Sequence, residues 1–376
     1  MWKAVELKDI TYNLDNRRVP LNSSQRGEKE SEQLYPYIGA NNIMGYIDEF
    51  IFDEKILCVA EDGGSWGKGQ RCAVIYNEKV WVNNHAHVLT AKDNLILEYL
   101  MYYLNYEDLN LYINGATRGK LTKSSLNSIL IPLPPLEQQK KIAAILDAAD
   151  ELRQKDKALI AKYDELTQAL FLDMFGDPVS NPKGWNEKEL GDVLDLITYG
   201  LTVRPNYIET GIPLISAREI RTGEVQLNNA PKISLEDFKK LSEKGIPKIN
   251  DILFSKTGSI GHCAIVKTSE TFAITQNAAR LVFNKHINTV YAMYYLKSPY
   301  IQQLSQQRAK GNAVKDLQLG DMKKFRFISP DLPIQNQFAE RIKVIEEQRA
   351  LTQASAVKSE ELFNSLLQKA FNGELV

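Results

Sequence analysis

The stretch "IPLPPLEQQKKIAAILDAADELRQK" (residues 131–155) decides the architecture. An apolar, strand-like end crosses three prolines and then becomes strongly helical. Proline is tolerated before and within a first helical turn, where its missing N–H costs nothing, and Pro134 and Pro135 stop the preceding strand from running on. Beyond Glu137 and Gln138 a 3-4 spacing continues through Ile142, Ile145, Ala149, Leu152, Asp156, Leu159, Tyr163, Leu166, Leu170 and Asp173. This is the pattern of a heptad seam with two polar interruptions. A helix of about 40 residues would be about 60 Å long, and so narrow an apolar stripe cannot hold it alone.

Outward from this stretch, the chain repeats itself. "WKAVELKDI" (2–10) resembles "WNEKELGDV" (185–193), and "KILCVAEDGGSWGKGQRCAVIY" (55–76) resembles "DILFSKTGSIGHCAIV" (251–266). "VNNHAHVLT" (82–90) parallels "TQNAARLVF" (275–283), and "LEYLMYYLN" (97–105) parallels "VYAMYYLKS" (290–298). The opening stretch itself returns as "ISPDLPIQNQFAERI" (328–342), and "MFGD" (174–177) as "FNGE" (371–374). Order is kept while the offset drifts between roughly 183 and 198 residues, so one long unit is used twice.

Each unit has two unlike parts. Short apolar runs separated by Gly and Asn turns predict strand-rich globular parts over residues 1–133 and 181–332. Long helices are predicted over 134–180 and 333–376; the second seam runs through Phe338, Ile342, Ile345, Arg349, Thr352, Ala356, Ser359, Phe363, Leu366 and Ala370. Each helix could pack along its own globular part, or the two could pair antiparallel about a pseudo-two-fold axis. The duplication favours pairing, because a two-fold protein with separated ends matches a two-part DNA site. The fold class expected is α+β: two strand-rich domains separated by an antiparallel coiled coil of two long helices, with a pseudo-two-fold internal repeat.

With 44% hydrophobic and 25% charged residues the chain is too apolar to be disordered and long enough for two cores. Charges lie within "MWKAVELKDI", and no run of 18 apolar residues occurs, so neither a signal peptide nor a membrane span is expected. Cys58, Cys72 and Cys263 form no C-x-x-C pair, which argues against a disulfide framework or zinc site and for the reducing cytoplasm. The net charge of -1 argues against a chain that is basic throughout. Lys plus Arg against Asp plus Glu is 14 to 17 over residues 1–133, 6 to 9 over 134–180, 21 to 15 over 181–332 and 5 to 6 over 333–376. Only the third segment is distinctly basic, so any DNA contact must be local and at least partly contributed by a partner.

The order of parts, with "IPLPPLEQQKKIAAILDAADELRQK" after the first globular part and "PDLPIQNQFAERI" after the second, resembles the specificity subunit of type I restriction-modification systems over the whole chain. The most specific element is P-L-P-P-L-E-Q-Q with the following I-x-x-I-L-D; the second copy departs from it. The resemblance implies two target-recognition domains, each reading one half of a bipartite site on double-stranded DNA. It also implies a coiled coil that sets the spacing and docks two modification (methyltransferase) subunits, through which restriction subunits join. S-adenosylmethionine, ATP and Mg²⁺ would belong to those partners, with no cofactor on this chain.

Searches for chemistry in the residues agree with a non-catalytic role. Asp177-Pro178 and Asn181-Pro182 do not continue into the [N/D]-P-P-[Y/F] turn of an adenine methyltransferase. "EDGGSWGKG" (61–69) has Asp62 and Gly69 where a phosphate loop needs Gly and Ser or Thr, so a mobile loop is expected there. His85 and His87 have no third ligand at suitable spacing, and no metal site is expected.

Base readout favours Arg on guanine and Asn or Gln on adenine, while Lys, Ser and Thr more often hold phosphate. The DNA-contact candidates in the first domain are Arg17, Arg18, Ser65, Trp66, Lys68, Arg71, Asn83, Asn84, Arg118 and Lys120. In the second they are Tyr199, Arg204, Arg218, Arg221, Lys256, Ser259, Gln276, Asn277, Arg308, Lys310, Asn312 and Lys315. Polar loops at matching places, 65–71 with 256–262 and 118–120 with 308–315, suit two readers of different half-sites. Two other classes remain open. A self-contained nuclease-methyltransferase would transfer methyl groups unaided, and a protein-binding coiled-coil scaffold, or the specificity half of another restriction-modification type, would lack independent DNA readout.

Overall fold

The computed structural model describes residues 2–32, 34–40, 42–115 and 118–375. The chain forms two units, one of residues 1–159 with 352–376 and the other of residues 160–351. Both are built to one plan.

In the first unit a four-stranded antiparallel sheet has the order Thr11–Asn13, Ala86–Ala91, Ile56–Ala60, Ala73–Tyr76. All five residues of Ile56–Ala60 are buried, so this strand is a continuous apolar run rather than an alternating one. A second sheet pairs Tyr35–Ile38 with Ile43–Ile47 and, in parallel, with Trp81–Val82. Ala4–Glu6 pairs with Leu130–Pro132, fastening the beginning of the segment to its end. The second unit repeats this with Leu194–Tyr199, Ala278–Phe283, Ile252–Ser255 and Cys263–Ile265. Its second sheet has four strands, and Asn186–Glu189 closes on Arg326–Ser329.

Two 40-residue helices follow the globular parts, the central helix Leu136–Phe175 and the C-terminal helix Leu332–Phe371. Gly176 and Gly373 end them with positive φ angles of 80° and 78°, the left-handed geometry of a helix C-terminus. In the first unit the start of the central helix lies antiparallel to the end of the C-terminal helix. Arg153 Nη1 pairs with Glu360 at 2.9 Å, and Ser359 donates to the buried Asp156 carboxylate at 2.9 Å. In the second unit Arg349 pairs with Asp164 at 3.2 Å, and Phe171 and Phe175 meet the Phe338 ring edge-on. Arg153–Glu360 and Arg349–Asp164 are the same ion pair in the two copies.

Packing on the domain and pairing between helices prove compatible. Ile142, Leu146 and Ala149 share one core with Phe363, Leu367 and Ala370 and with Tyr99, Tyr102 and Tyr103 of the helix Leu97–Tyr106.

The buried stripe of the central helix departs from the expected seam at every second position. Leu152, Leu159 and Leu166 are 45%, 41% and 49% exposed, and Asp173 is exposed, whereas Leu146, Asp156, Thr167 and Met174 are buried and Arg153 and Ile160 half-buried. Ile145 is half-buried beside Leu146. Glu360 across the seam lets Arg153 face inward, and Thr167 satisfies its hydroxyl on Tyr163 O of its own helix at 2.7 Å, where the expected seam takes the neighbouring leucines.

Candidate nucleic-acid interface

At the rim of the main sheet of the first unit, Ile56–Ala60 ends at Glu61. Its N–H donates to His85 O and its carbonyl accepts from Leu121 N, both at 2.8 Å. The carboxylate receives Arg18 Nη1 at 2.6 Å and Lys120 Nζ at 3.0 Å, with His87 Nδ1 at 3.7 Å. Burial raises the Glu61 carboxyl, but the Arg18 and Lys120 hydrogen bonds and the nearby His87 outweigh it and hold it below the usual range. Asp15 behaves in the same way: burial raises it, and His87 at 2.7 Å, Asn13 and the Val88 N–H bring it down. His87 Nε2 donates to the Leu121 carbonyl at 2.7 Å. Asp62 joins His85 at 2.6 Å to Arg118 at 3.1 Å.

These contacts seat a hairpin, closed by reciprocal backbone hydrogen bonds between Asn114 and Lys120 at 2.9 and 2.7 Å. Gly115 turns it at φ 103°, where a β-carbon would lie 2.4 Å from the Arg118 carbonyl oxygen. In the second unit the bonds between Lys310 and Asp316 are 2.9 and 2.8 Å, and Gly311 has φ 118° with Val314 O in the same place. Lys256 takes the place of Glu61: its carbonyl accepts from Leu317 N, and its ammonium pairs with Asp316 at 2.5 Å. Burial raises the Asp316 carboxyl, but Lys256 and Thr257 hold it low.

The structure therefore gathers Arg18, Asn83, Asn84, Arg118 and Lys120 at one rim, and Tyr199, Lys256, Asn277, Lys310, Asn312 and Lys315 at the other. Arg118 and Lys120 expose 66% and 48% of their side chains, and Lys310, Asn312 and Lys315 are exposed. Arg308 is exposed at the end of the helix Pro299–Arg308, directly before the hairpin. Ser259 and Gln276 are exposed beside Lys256 and Asn277 in the chain. Arg221 is exposed and its charge, after burial, helps to lower the His262 pKa. Arg204 and Arg218 are exposed on segments flanking the second sheet. Arg17 is drawn elsewhere, pairing with Glu54 above the Phe52 ring.

Four candidates have inward-facing tasks. Trp66 is 7% exposed in the core and donates through Nε1 to Ala60 O at 3.2 Å, so its ring is not available to stack on a base. It also anchors the loop expected to be mobile: Leu109 N donates to Trp66 O at 2.8 Å and Gly69 N to Tyr106 O at 3.1 Å. Asn83 is 3% exposed and shapes the turn by accepting from His85 N. Arg18 and Lys256, with side chains 13% and 11% exposed, are occupied by carboxylates. Exposed Ser65, Lys68, Arg71 and Asn84 remain as surface donors, with Lys68 lying over the Tyr106 ring. Asn84 also borders a depression of about 280 Å³ that includes Arg26, Tyr37, Asn83 and His85.

Sequence reasoning missed the acids, Asp15, Glu61, Asp62 and Asp316, because it searched only for DNA donors. The backbone makes Glu61 equivalent to Lys256 and Lys120 to Asp316, which corrects the matching of 65–71 with 256–262 and is shifted by one residue from the apparent match of the two strand sequences. Among the described residues no cluster of His, Cys, Asp or Glu is placed to hold a metal, and no helix is long and apolar enough to cross a membrane.

Comparison with known proteins bears on both units. The family model described as the type I restriction modification DNA specificity domain matches residues 1–162 and again 182–358. A Haemophilus influenzae protein named as a type I restriction enzyme specificity subunit is 28% identical over 357 residues, covering 89% of this chain and 85% of that protein. The Escherichia coli EcoBI specificity subunit is 28% identical over 301 residues, covering 71% of this chain and 63% of its own. The crystal structure of a type I S subunit from M. genitalium superposes with a TM-score of 0.64 at 14% identity, over 98% of this chain and 96% of that one. A chain from a type I complex-assembly study gives 0.55 at 17%, over 100% and 98%. Matched twice along its length, the chain belongs to the type I restriction-modification DNA specificity family.

Proposed function

We propose that this specificity subunit reads a bipartite DNA target, each unit contacting one half through its sheet rim and hairpin. The observation that carries the reading is the duplicated rim: two equivalent hairpins present different exposed donors, Arg118 and Lys120 in one and Lys310, Asn312 and Lys315 in the other. Arginine and amide side chains suit base edges, and lysines suit phosphates. The recognition domains correspond to residues 1–133 and 181–332, and the helical spacers to 134–180 and 333–376. Modification subunits dock on the helices, where Leu152 and Leu159 in the first unit and Leu166 in the second leave apolar surface exposed. Catalysis, with S-adenosylmethionine, ATP and Mg²⁺, resides on those partners.

The test is to produce the chain with the methyltransferase subunit encoded beside it and map methylated adenines across the host genome. Two defined blocks around a fixed undefined gap are expected. Co-purification of the two proteins without sequence-directed methylation would overturn the DNA reading in favour of a scaffold.

A further inference from the structure

The two hairpins are held by ion pairs of opposite polarity at equivalent backbone positions. In the first unit Glu61, on the end of the central strand, pairs with Lys120 on the hairpin; in the second Lys256 pairs with Asp316. The backbones agree closely, with Leu121 N donating to Glu61 O and Leu317 N to Lys256 O, both at 2.8 Å. Surroundings fix the sign. Glu61 also faces Arg18 and His87, which favour an anion, while the Lys256 ammonium lies 5.9 Å from the centre of the Tyr199 ring, whose face favours a cation. Lys256 is 8% exposed, so it acts on the hairpin rather than on solvent, and Thr257 donates a second hydrogen bond to the same Asp316 carboxylate.

We propose that Lys256 and Asp316 are positioning residues for half-site recognition, locking the Lys310–Asp316 hairpin in its reading position, and that the reversed polarity matches each hairpin to its own unit. The inference rests on the DNA reading given above. Among the described residues Asp316 is the carboxylate within ion-pair distance of Lys256, so lifting the hairpin would take its partner from a buried charge.

The test uses the full chain produced with its methyltransferase subunit and four variants: Lys256→Glu, Asp316→Lys, both together, and the nearly isosteric Asp316→Asn. The block read by the second unit is the one that persists when residues 1–133 are exchanged. Each single reversal is expected to lower methylation of the complete target about tenfold or more, with degeneracy confined to that block. The double variant, which restores opposite charges in the polarity of the first unit, is expected to regain part of the loss, since Tyr199 still favours a cation at position 256. Asp316→Asn keeps the shape and should show a smaller loss in the same block. Unchanged recognition in Asp316→Asn, loss spread over both blocks, or a double variant no better than the worse single would overturn the lock. If the unaltered chain directs no split-target methylation, the DNA reading itself falls, an outcome distinct from a working parent with insensitive variants.

Discussion

Gln139 shows what one residue of the opening stretch does. It is fully buried; its amide oxygen accepts from Ile96 N at 2.9 Å, and its nitrogen donates to Asn94 O at 3.0 Å and Pro134 O at 2.8 Å. Gln335 repeats the arrangement, taking Asn288 N at 2.8 Å and reaching His286 O at 3.2 Å and Pro330 O at 2.7 Å. Each glutamine thus ties the proline break, the first helical turn and the loop before the domain helix into one joint. Replacing Gln139 by Leu keeps the volume but strands one N–H and two carbonyls, at a cost of about 3 kcal/mol. Urea unfolding checks this, and a change below about 0.5 kcal/mol, the scale of an ordinary surface substitution, would refute the joint. Nothing in the periodicity distinguishes Gln139 from Gln138, because the partners lie on other segments.

At the scale of the element, helix length and position were legible while the facing side was only half so. Proline punctuation and a 3-4 pattern suffice to place a long helix, but choosing its inner face by apolarity fails where the seam is polar. A shift of one residue turns a side chain by about 100°, enough to move Leu152 outward and Arg153 inward. Arg153 fits because Glu360 meets it and its guanidinium lies 4.2 Å from the centre of the Phe363 ring. On the C-terminal helix the stripe through Phe338, Ile342, Ile345, Arg349, Thr352 and Ser359 contains no exposed residue, since polar positions were admitted there by alignment with the repeat. The register has a direct check. Leu146→Ala, at a fully buried position, should cost about 2 to 5 kcal/mol through lost contact and a cavity. Leu152→Ala should cost about 0.5 kcal/mol or less. Reversal of that order in urea unfolding would return the seam to Leu152.

For the whole molecule, duplication was the most legible property because it needs only order, whereas the rim required coordinates: its acids and bases come from segments such as residues 15–18, 61–62, 85–87 and 118–120 that only the fold brings together. The same topology makes exchange of parts testable. Residues 1–133 begin and end on the paired strands Ala4–Glu6 and Leu130–Pro132, so a cut after Leu133 falls between a closed sheet and the first turn of the central helix. The main contacts that must carry over are aromatic: Tyr99 and Tyr103 against Phe371 at 5.7 and 5.3 Å between ring centres, and Tyr102 against Phe363 at 6.1 Å. Tyr102 also donates to Asp147 on the central helix at 2.7 Å. An exchange of residues 1–133 with the corresponding segment of a relative that keeps these tyrosines should change one block of the methylated target. The other block and the gap between them should stay the same, because the helices proposed to act as the spacer lie outside the exchanged segment. Methylation mapping of the exchanged chain decides it: a changed gap would mean that the first domain helps to set the spacing, and a change in both blocks would mean that the two units do not read independently.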